Sequence, residues 1–333
     1  MRKPIDPNRK ITQVADPEFY RLSDPFFKYL LAKEEHADLC NDFTKAVVDH
    51  IPLAFRSSDA RDFSTISYSN VELYRDNAKE KAGFLDVAVI TDTGVTFDIE
   101  VQTYRDQNLL QREFLYFSRL YGMQHVKGKS YGELKAVEII NLLDYNFFQE
   151  ETPYHTFSEV RHSATSKVIT DLQILHFIEI PKFERMQDQK KQQKVAMSRL
   201  DRWLQYLTCS DPQEVLAFAK SDEIFGKVLE AEKMYINNKE LMRKYYEENR
   251  DGYWEGVIAN AKAEGIAIGE AKAKAEGIAE GIAIGEAKAK AEAKAEERKN
   301  LLAAARNLLA EGMDRIKVQQ VTQLTDAEMA SIC

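Results

Sequence analysis

Asp86, Asp98, Glu100 and Gln102 lie close together in one stretch, GFLDVAVITDTGVTFDIEVQ (residues 83–102), that otherwise reads as β structure. Two runs rich in Val, Ile and Phe flank the turn residues Asp92-Thr93-Gly94, the pattern of a hairpin. The odd positions Leu85, Val87, Val89, Val95, Phe97, Ile99 and Val101 are all apolar, while Asp86, Thr96, Asp98, Glu100 and Gln102 are even. A two-residue turn would set Asp86 against Ile99 and mix the faces. The loop Asp92-Thr93-Gly94 instead sets Asp86 against Glu100 and Val87 against Ile99, with Gly94 at the left-handed position such a loop needs. Directly opposed side chains have Cβ atoms about 4.5–5.5 Å apart, where like charges repel. Two facing carboxylates therefore raise a pKa or call for a cation. Mg²⁺ or a similar hard divalent ion suits such a pair, and can activate water and stabilise charge on a phosphodiester. The blander alternative is a solvated outer face, although Phe84, Ala88 and Ile90 share the even positions.

The elements that would position this hairpin are legible around it. Residues 1–19 read as an irregular N-terminal arm. LSDPFFKYLLAKEEHADLCNDFTKAVVDHI reads as helix, with Ser23 or Asp24 as N-cap and Pro25 at the first helical position. ISYSNVELYR reads as a strand before the hairpin, and NLLQREFLYFSRLYGMQHV as a helix after it. LKAVEIINLLDY and LQILHFIEIP are near-continuous apolar runs, the pattern of strands buried on both faces. The order α-β-β-β-α-β, with one further strand, predicts a mixed-sheet α/β domain over 20–183.

Beyond it, 184–255 reads as a helical extension and 256–299 as a low-complexity Ala/Glu/Lys/Gly segment in which EGIAIGEAKAKA occurs twice. Each interior Gly weakens a helix by about 1 kcal/mol relative to Ala. That segment suits a semi-rigid helical spacer, or a self-association helix that would make a homo-oligomer. Residues 300–333 read as a small C-terminal helical cap, with Gly312 ending a helix and Thr325 with Glu328 forming a capping box. A helix-turn-helix-like unit there is the lesser alternative, since no clear basic recognition face stands out.

Composition bounds the function. The chain has 333 residues, is 44% hydrophobic and carries a formal net charge of −8. That permits a sizeable core and does not advertise a nucleic-acid binder, though a local basic face remains compatible with it. Cys40, Cys209 and Cys333 are far apart and the six histidines lack metal-ligand spacing, against both a disulfide framework and a zinc cluster. With no apolar leader and no long apolar run, the expectation is a cytoplasmic protein without a membrane partner.

Asp86 followed by Glu100-Val101-Gln102 after a short hairpin resembles the D…(D/E)-x-K signature of the PD-(D/E)XK nucleases. More specifically it resembles the Rpn group of recombination-promoting nucleases, also described as transposases. LSDPFFKYLL, FDIEVQTY, LQREFLYFSRLY, GKSYGELKAVEIINLLDY and LQILHFIEIPKF carry the likeness in order over 20–183. The resemblance implies a restriction-endonuclease-like core that cleaves DNA with Mg²⁺ or another divalent cation. Asp86 and Glu100 would then be catalytic metal ligands. Gln102 takes the place of the lysine that orients water and steadies transition-state charge elsewhere in the superfamily. Lys28, Lys81 or Arg112 would supply the missing charge, the sequence leaving the choice open. Arg105, Arg112 and Arg119 recur every seven residues, a spacing for one helix face that could hold DNA phosphates or simply be a solvated stripe. Asp24 is a helix cap or a supporting acid. The expected function is DNA cleavage linked to recombination, mobile-element or defence biology. The alternatives are a DNA-binding regulator that keeps the fold with weak chemistry, and an oligomeric scaffold.

Overall fold

Gly94, at φ +90°, closes the loop between β2 (Val87–Thr91) and β3 (Thr96–Gln102). In this computed structural model, which describes residues 11–69, 86–125, 128, 130–193 and 196–332, the Gly94 N–H donates to the Thr91 carbonyl at 2.9 Å. A Cβ at Gly94 would also come within 3.0 Å of Lys135 Cγ, so both the backbone and the space favour glycine. The strands pair as Val87 with Ile99 and Ala88 with Asp98, the register predicted from the loop. One step beyond the ladder, Asp86 faces Glu100.

β1 (Ile66–Tyr68) adds antiparallel to β2; the strand expected over ISYSNVELYR otherwise lies outside the described residues. On the other side β3 pairs in parallel with β4 (Val137–Leu143), and β4 in parallel with β8 (Gln173–Glu179). Both are the apolar runs read as buried strands. Between them the chain forms β5 (His155–Phe157), which completes the sheet antiparallel to β8, and a small separate hairpin of β6 (Val160–Arg161) and β7 (Val168–Thr170). Periodicity did not announce these three, because their lengths are too short to carry it. The main sheet is six-stranded and mixed, in the order β1-β2-β3-β4-β8-β5.

Its two faces differ. Phe97, Ile99, Ile140, Leu142 and Ile178 pack under α1 (Asp24–Leu31) and α2 (Ala37–His50) in the larger core. Val137, Ile139, Leu143, Leu175 and Phe177 pack under α3 (Leu109–Met123) through Leu109, Tyr116 and Leu120. Burying each such aliphatic or aromatic side chain contributes about 1.5–3 kcal/mol. The parallel register sets Asp98 beside Ile139 and Glu100 beside Asn141, so the carboxylates lie on the α3 face.

The first helix is interrupted where a single one was expected. α1 ends at Leu31, a 3₁₀ turn spans Glu34–His36, and α2 begins at Ala37. His36 Nδ1 hydrogen-bonds the Tyr29 carbonyl at 2.9 Å, occupying a carbonyl that a continuing helix would have used. Helices α4 (Ile180–Gln193), α5 (Arg199–Thr208), α6 (Pro212–Ala219) and α7 (Glu223–Asn237) follow the sheet. Arg21 anchors the segment before α1 to α7: its Nε and Nη2 each donate to Glu232 at 2.8 Å, and both side chains are fully buried.

The chain divides into units 1–261 and 262–333. The boundary and the internal repeat both fall within α8 (Lys239–Ala310). The second unit adds α9 (Arg315–Thr322) and α10 (Asp326–Ser331) around Ala305, Val318, Leu324 and Met329. Gly312 has φ +83° just after α8, and Thr325 and Glu328 form a reciprocal capping box. Among the described residues, no helix is long and apolar enough to cross a membrane.

Candidate active site

The hairpin register ties Asp86 and Glu100 together through hydrogen bonds from backbone N–H groups to their carboxylates. The Asp86 N–H donates to Glu100 Oε1 at 3.1 Å, and the Val101 N–H donates to Asp86 Oδ2 at 3.2 Å. Lys28, on α1, reaches the remaining Asp86 oxygen, Oδ1, at 3.0 Å, while its Nζ also sits 2.8 Å from Asp24. Gln102 Nε2 donates to Glu100 Oε2 at 3.4 Å. Of the residues singled out by the sequence, the fold therefore groups Asp86, Glu100, Gln102, Lys28 and Asp24. Ser23, rather than Asp24, is the N-cap of α1, and Asp24 opens the helix and pairs with Lys28 one turn on.

Two further carboxylates complete the cluster, neither of which had been given a role. Asp98 is fully buried, and both of its carboxylate oxygens lack a hydrogen-bond partner among the described residues. Glu113, on α3, is also fully buried; its Oε2 accepts from Asn141 Nδ2 at 3.3 Å. The signals were present. Asp98 alternates with Glu100 in the same strand. Glu113 shares its helix face with Leu109, Tyr116 and Leu120, and a carboxylate in an apolar stripe is the informative exception to burial patterning.

Arg112 lies beside these acids, with Nη2 at 3.5 Å from Glu113 Oε1 and Nη1 at 3.5 Å from Asp106. Arg105 precedes α3 and is exposed, so the three arginines do not share one helix face as their spacing suggested. The turn through Asp106 and Asn108 that opens α3 takes Arg105 out of the helix. Lys81 lies outside the described residues.

Burial dominates the electrostatics. It raises the Glu100 carboxyl well above its ordinary range, with the neighbouring Asp86 charge adding to the effect. It does the same at Asp98, where Glu100 and Glu113 reinforce it. Asp86 is raised by burial while Lys28 pulls it back. Burial pushes Glu113 up to about 7 against the opposing pull of Arg112. At Arg112 burial opposes the charge, but Glu113 and Glu100 outweigh it and hold the group above the usual arginine value. Among the described residues the cluster is thus short of positive charge.

The donor set fits a hard divalent cation. It is made of carboxylate oxygens, with a buried Asp98 whose oxygens nothing in the described protein satisfies. It is not a closed cage: among the described residues no three His, Cys, Asp or Glu side chains are arranged to hold a metal ion. Asp86 and Glu100 would supply two protein ligands, leaving the others to water and substrate, and the contacts of Lys28 and Gln102 to them would have to yield.

Residues 21–259 match the model of the PD-(D/E)XK nuclease family transposase. Residues 298–333 match the Rpn/YhgA-like nuclease family, C-terminal HTH domain, which favours the helix-turn-helix alternative for α9 and α10. No curated protein and no solved structure matches the chain. The mixed six-stranded sheet with its flanking helices has the architecture of a PD-(D/E)XK nuclease core followed by a helical C-terminal region. The chain belongs to the PD-(D/E)XK nuclease family transposases, of the Rpn group.

Proposed function

We propose that the protein is a divalent-metal-dependent DNA endonuclease that hydrolyses phosphodiester bonds, with Asp86 and Glu100 as the metal ligands. The observation that carries this reading is the hydrogen-bonded pairing of Asp86 with Glu100 inside a buried cluster deficient in positive charge. A bound Mg²⁺ would supply Lewis-acid stabilisation and a water of lowered pKa. The rest falls to the chain. Glu100 and Asp86 would hold the ion, near the C-terminal end of β3, and the backbone N–H groups of Asp86 and Val101 fix the two carboxylates relative to each other. Gln102, one turn of the pleat beyond Glu100, can orient a water through its amide but brings no charge. The match to a C-terminal HTH domain supports DNA as the substrate.

A second reading is favoured by one observation. Gln102 stands where a lysine would act and is engaged by Glu100, as in a DNA-binding regulator with weak chemistry. Supercoiled plasmid incubated with wild-type and Asp86→Ala protein, in Mg²⁺ and in EDTA, separates the two. Metal-dependent nicking lost in the variant is the expected result. Equal background in all four reactions would sink the endonuclease reading and leave the regulator.

A further inference from the structure

Gln102 leaves the site without the cation that a lysine would provide. Lys28 and Arg112 are the two candidates among the described residues, and their bonding differs. Lys28 Nζ is held between two carboxylates, Asp24 at 2.8 Å and Asp86 at 3.0 Å, and keeps the close Asp24 pair even where a cation takes Asp86. Arg112 has no comparably close partner among the described residues. Its Nε and Nη2 are buried yet make no hydrogen bond among the described residues, and its two ion pairs are both as long as 3.5 Å. The side chain nevertheless keeps 26% of its surface open. A guanidinium held loosely by Glu113 and Asp106, near Glu100 and reachable from outside, is arranged to take a further anion.

The geometry points to Arg112 as the group that binds the scissile phosphate and steadies its developing charge, in place of the lysine absent at position 102. The nature of the anion, a DNA phosphodiester, rests on the endonuclease reading; the position of the cation does not. Asp106 is the contact that yields, since it meets Nη1 at 3.5 Å and is partly exposed. Glu113, fixed by Asn141, stays and holds Nη2 from behind.

Two variants, one removing the charge and one keeping it, test this together: Arg112→Gln and Arg112→Lys, with Lys28→Ala alongside. Single-turnover cleavage in Mg²⁺ is expected to fall about 10²–10³-fold in Arg112→Gln, the usual loss for one transition-state donor. Arg112→Lys should lose markedly less, and Lys28→Ala less than Arg112→Gln. DNA affinity measured against salt in Ca²⁺ is a second readout, in which Arg112→Gln should lower the salt slope by about 1. Equal rates for Arg112→Gln and Arg112→Lys would overturn the proposal. So would a larger loss in Lys28→Ala, or an unchanged salt slope. Should the wild-type protein not cut at all, the endonuclease reading fails by itself. The salt slope then still decides whether Arg112 meets a DNA phosphate.

Discussion

Arg21, fully buried, and Arg112, half-buried, are both guanidiniums facing glutamates, and they are bonded in opposite ways. Arg21 closes a complete set. Nε and Nη2 grip Glu232 at 2.8 Å, Nη1 donates to the carbonyls of Asp16 and Phe19, and Glu232 further accepts from Ala15 N–H and Tyr206 OH. Arg112 has only two long ion pairs, and around it Asp98, Glu113 and Asn141 also keep buried oxygens that accept no hydrogen bond among the described residues. A charge that only holds the fold together satisfies every donor, because each unsatisfied one costs about 1–3 kcal/mol. The buried acids under α3 are costly by the same rule, and that contrast is what the proposed metal site would account for.

Breaking the closed pair should have the largest effect. Arg21→Met leaves Glu232 buried and uncompensated, and should lower stability by about 3–5 kcal/mol in urea unfolding, with metal binding by the refolded protein unaltered. A cost below about 1 kcal/mol would remove the contrast between the two arginines.

The open cluster should respond to pH instead. Glu113 has a folded pKa raised from 4.5 to about 7, so the folded state binds the proton more tightly than the unfolded state. Its contribution to stability is full below the unfolded value and is lost as pH rises through about 7. In metal-free protein, stability should fall between pH 4.5 and 7, and Glu113→Gln should remove about 3 kcal/mol of that fall, from the two cited values at 1.36 kcal/mol per unit. Parallel stability curves for wild type and variant would contradict this.

How much of this was legible before the structure depends on what each residue's environment has to supply. The hairpin register was readable because Gly94 and strict alternation each exclude the other pairing, and β4 and β8 because both of their faces are apolar. The break between α1 and α2 was not, since it depends on His36 reaching back to the Tyr29 carbonyl. Asp86, Glu100 and Gln102 could be chosen from spacing within one hairpin. Asp98 carried the same alternation signal but not its burial, because alternation places a side chain on a face without saying what covers that face, and α3 covers this one. Glu113 and Asn141 meet across a helix and a strand, a contact with no sequence period. The arginine spacing misled for a related reason: a period of seven selects one face only where the helix is continuous, and α3 begins after Arg105.

A smaller effect sharpens the contrast from the other side. Asp98→Asn keeps the shape and removes a carboxyl whose charged form burial, Glu100 and Glu113 all disfavour, so it should stabilise the metal-free protein by roughly 1 kcal/mol, the ordinary scale of a point change but opposite in sign. Added Mg²⁺ should narrow the difference by supplying the charge that wild type lacks. A thermal melt showing Asp98→Asn less stable than wild type without metal would mean that Asp98 already has what it needs.

On the proposed reading, Asp86 and Glu100 take up a divalent cation. Calorimetric titration of Mg²⁺ or Mn²⁺ into metal-free wild-type protein and into Glu100→Gln tests it most directly. Saturable binding in the wild type that is abolished in Glu100→Gln is the predicted result. No binding to folded wild-type protein, or the same binding isotherm for both, would contradict it.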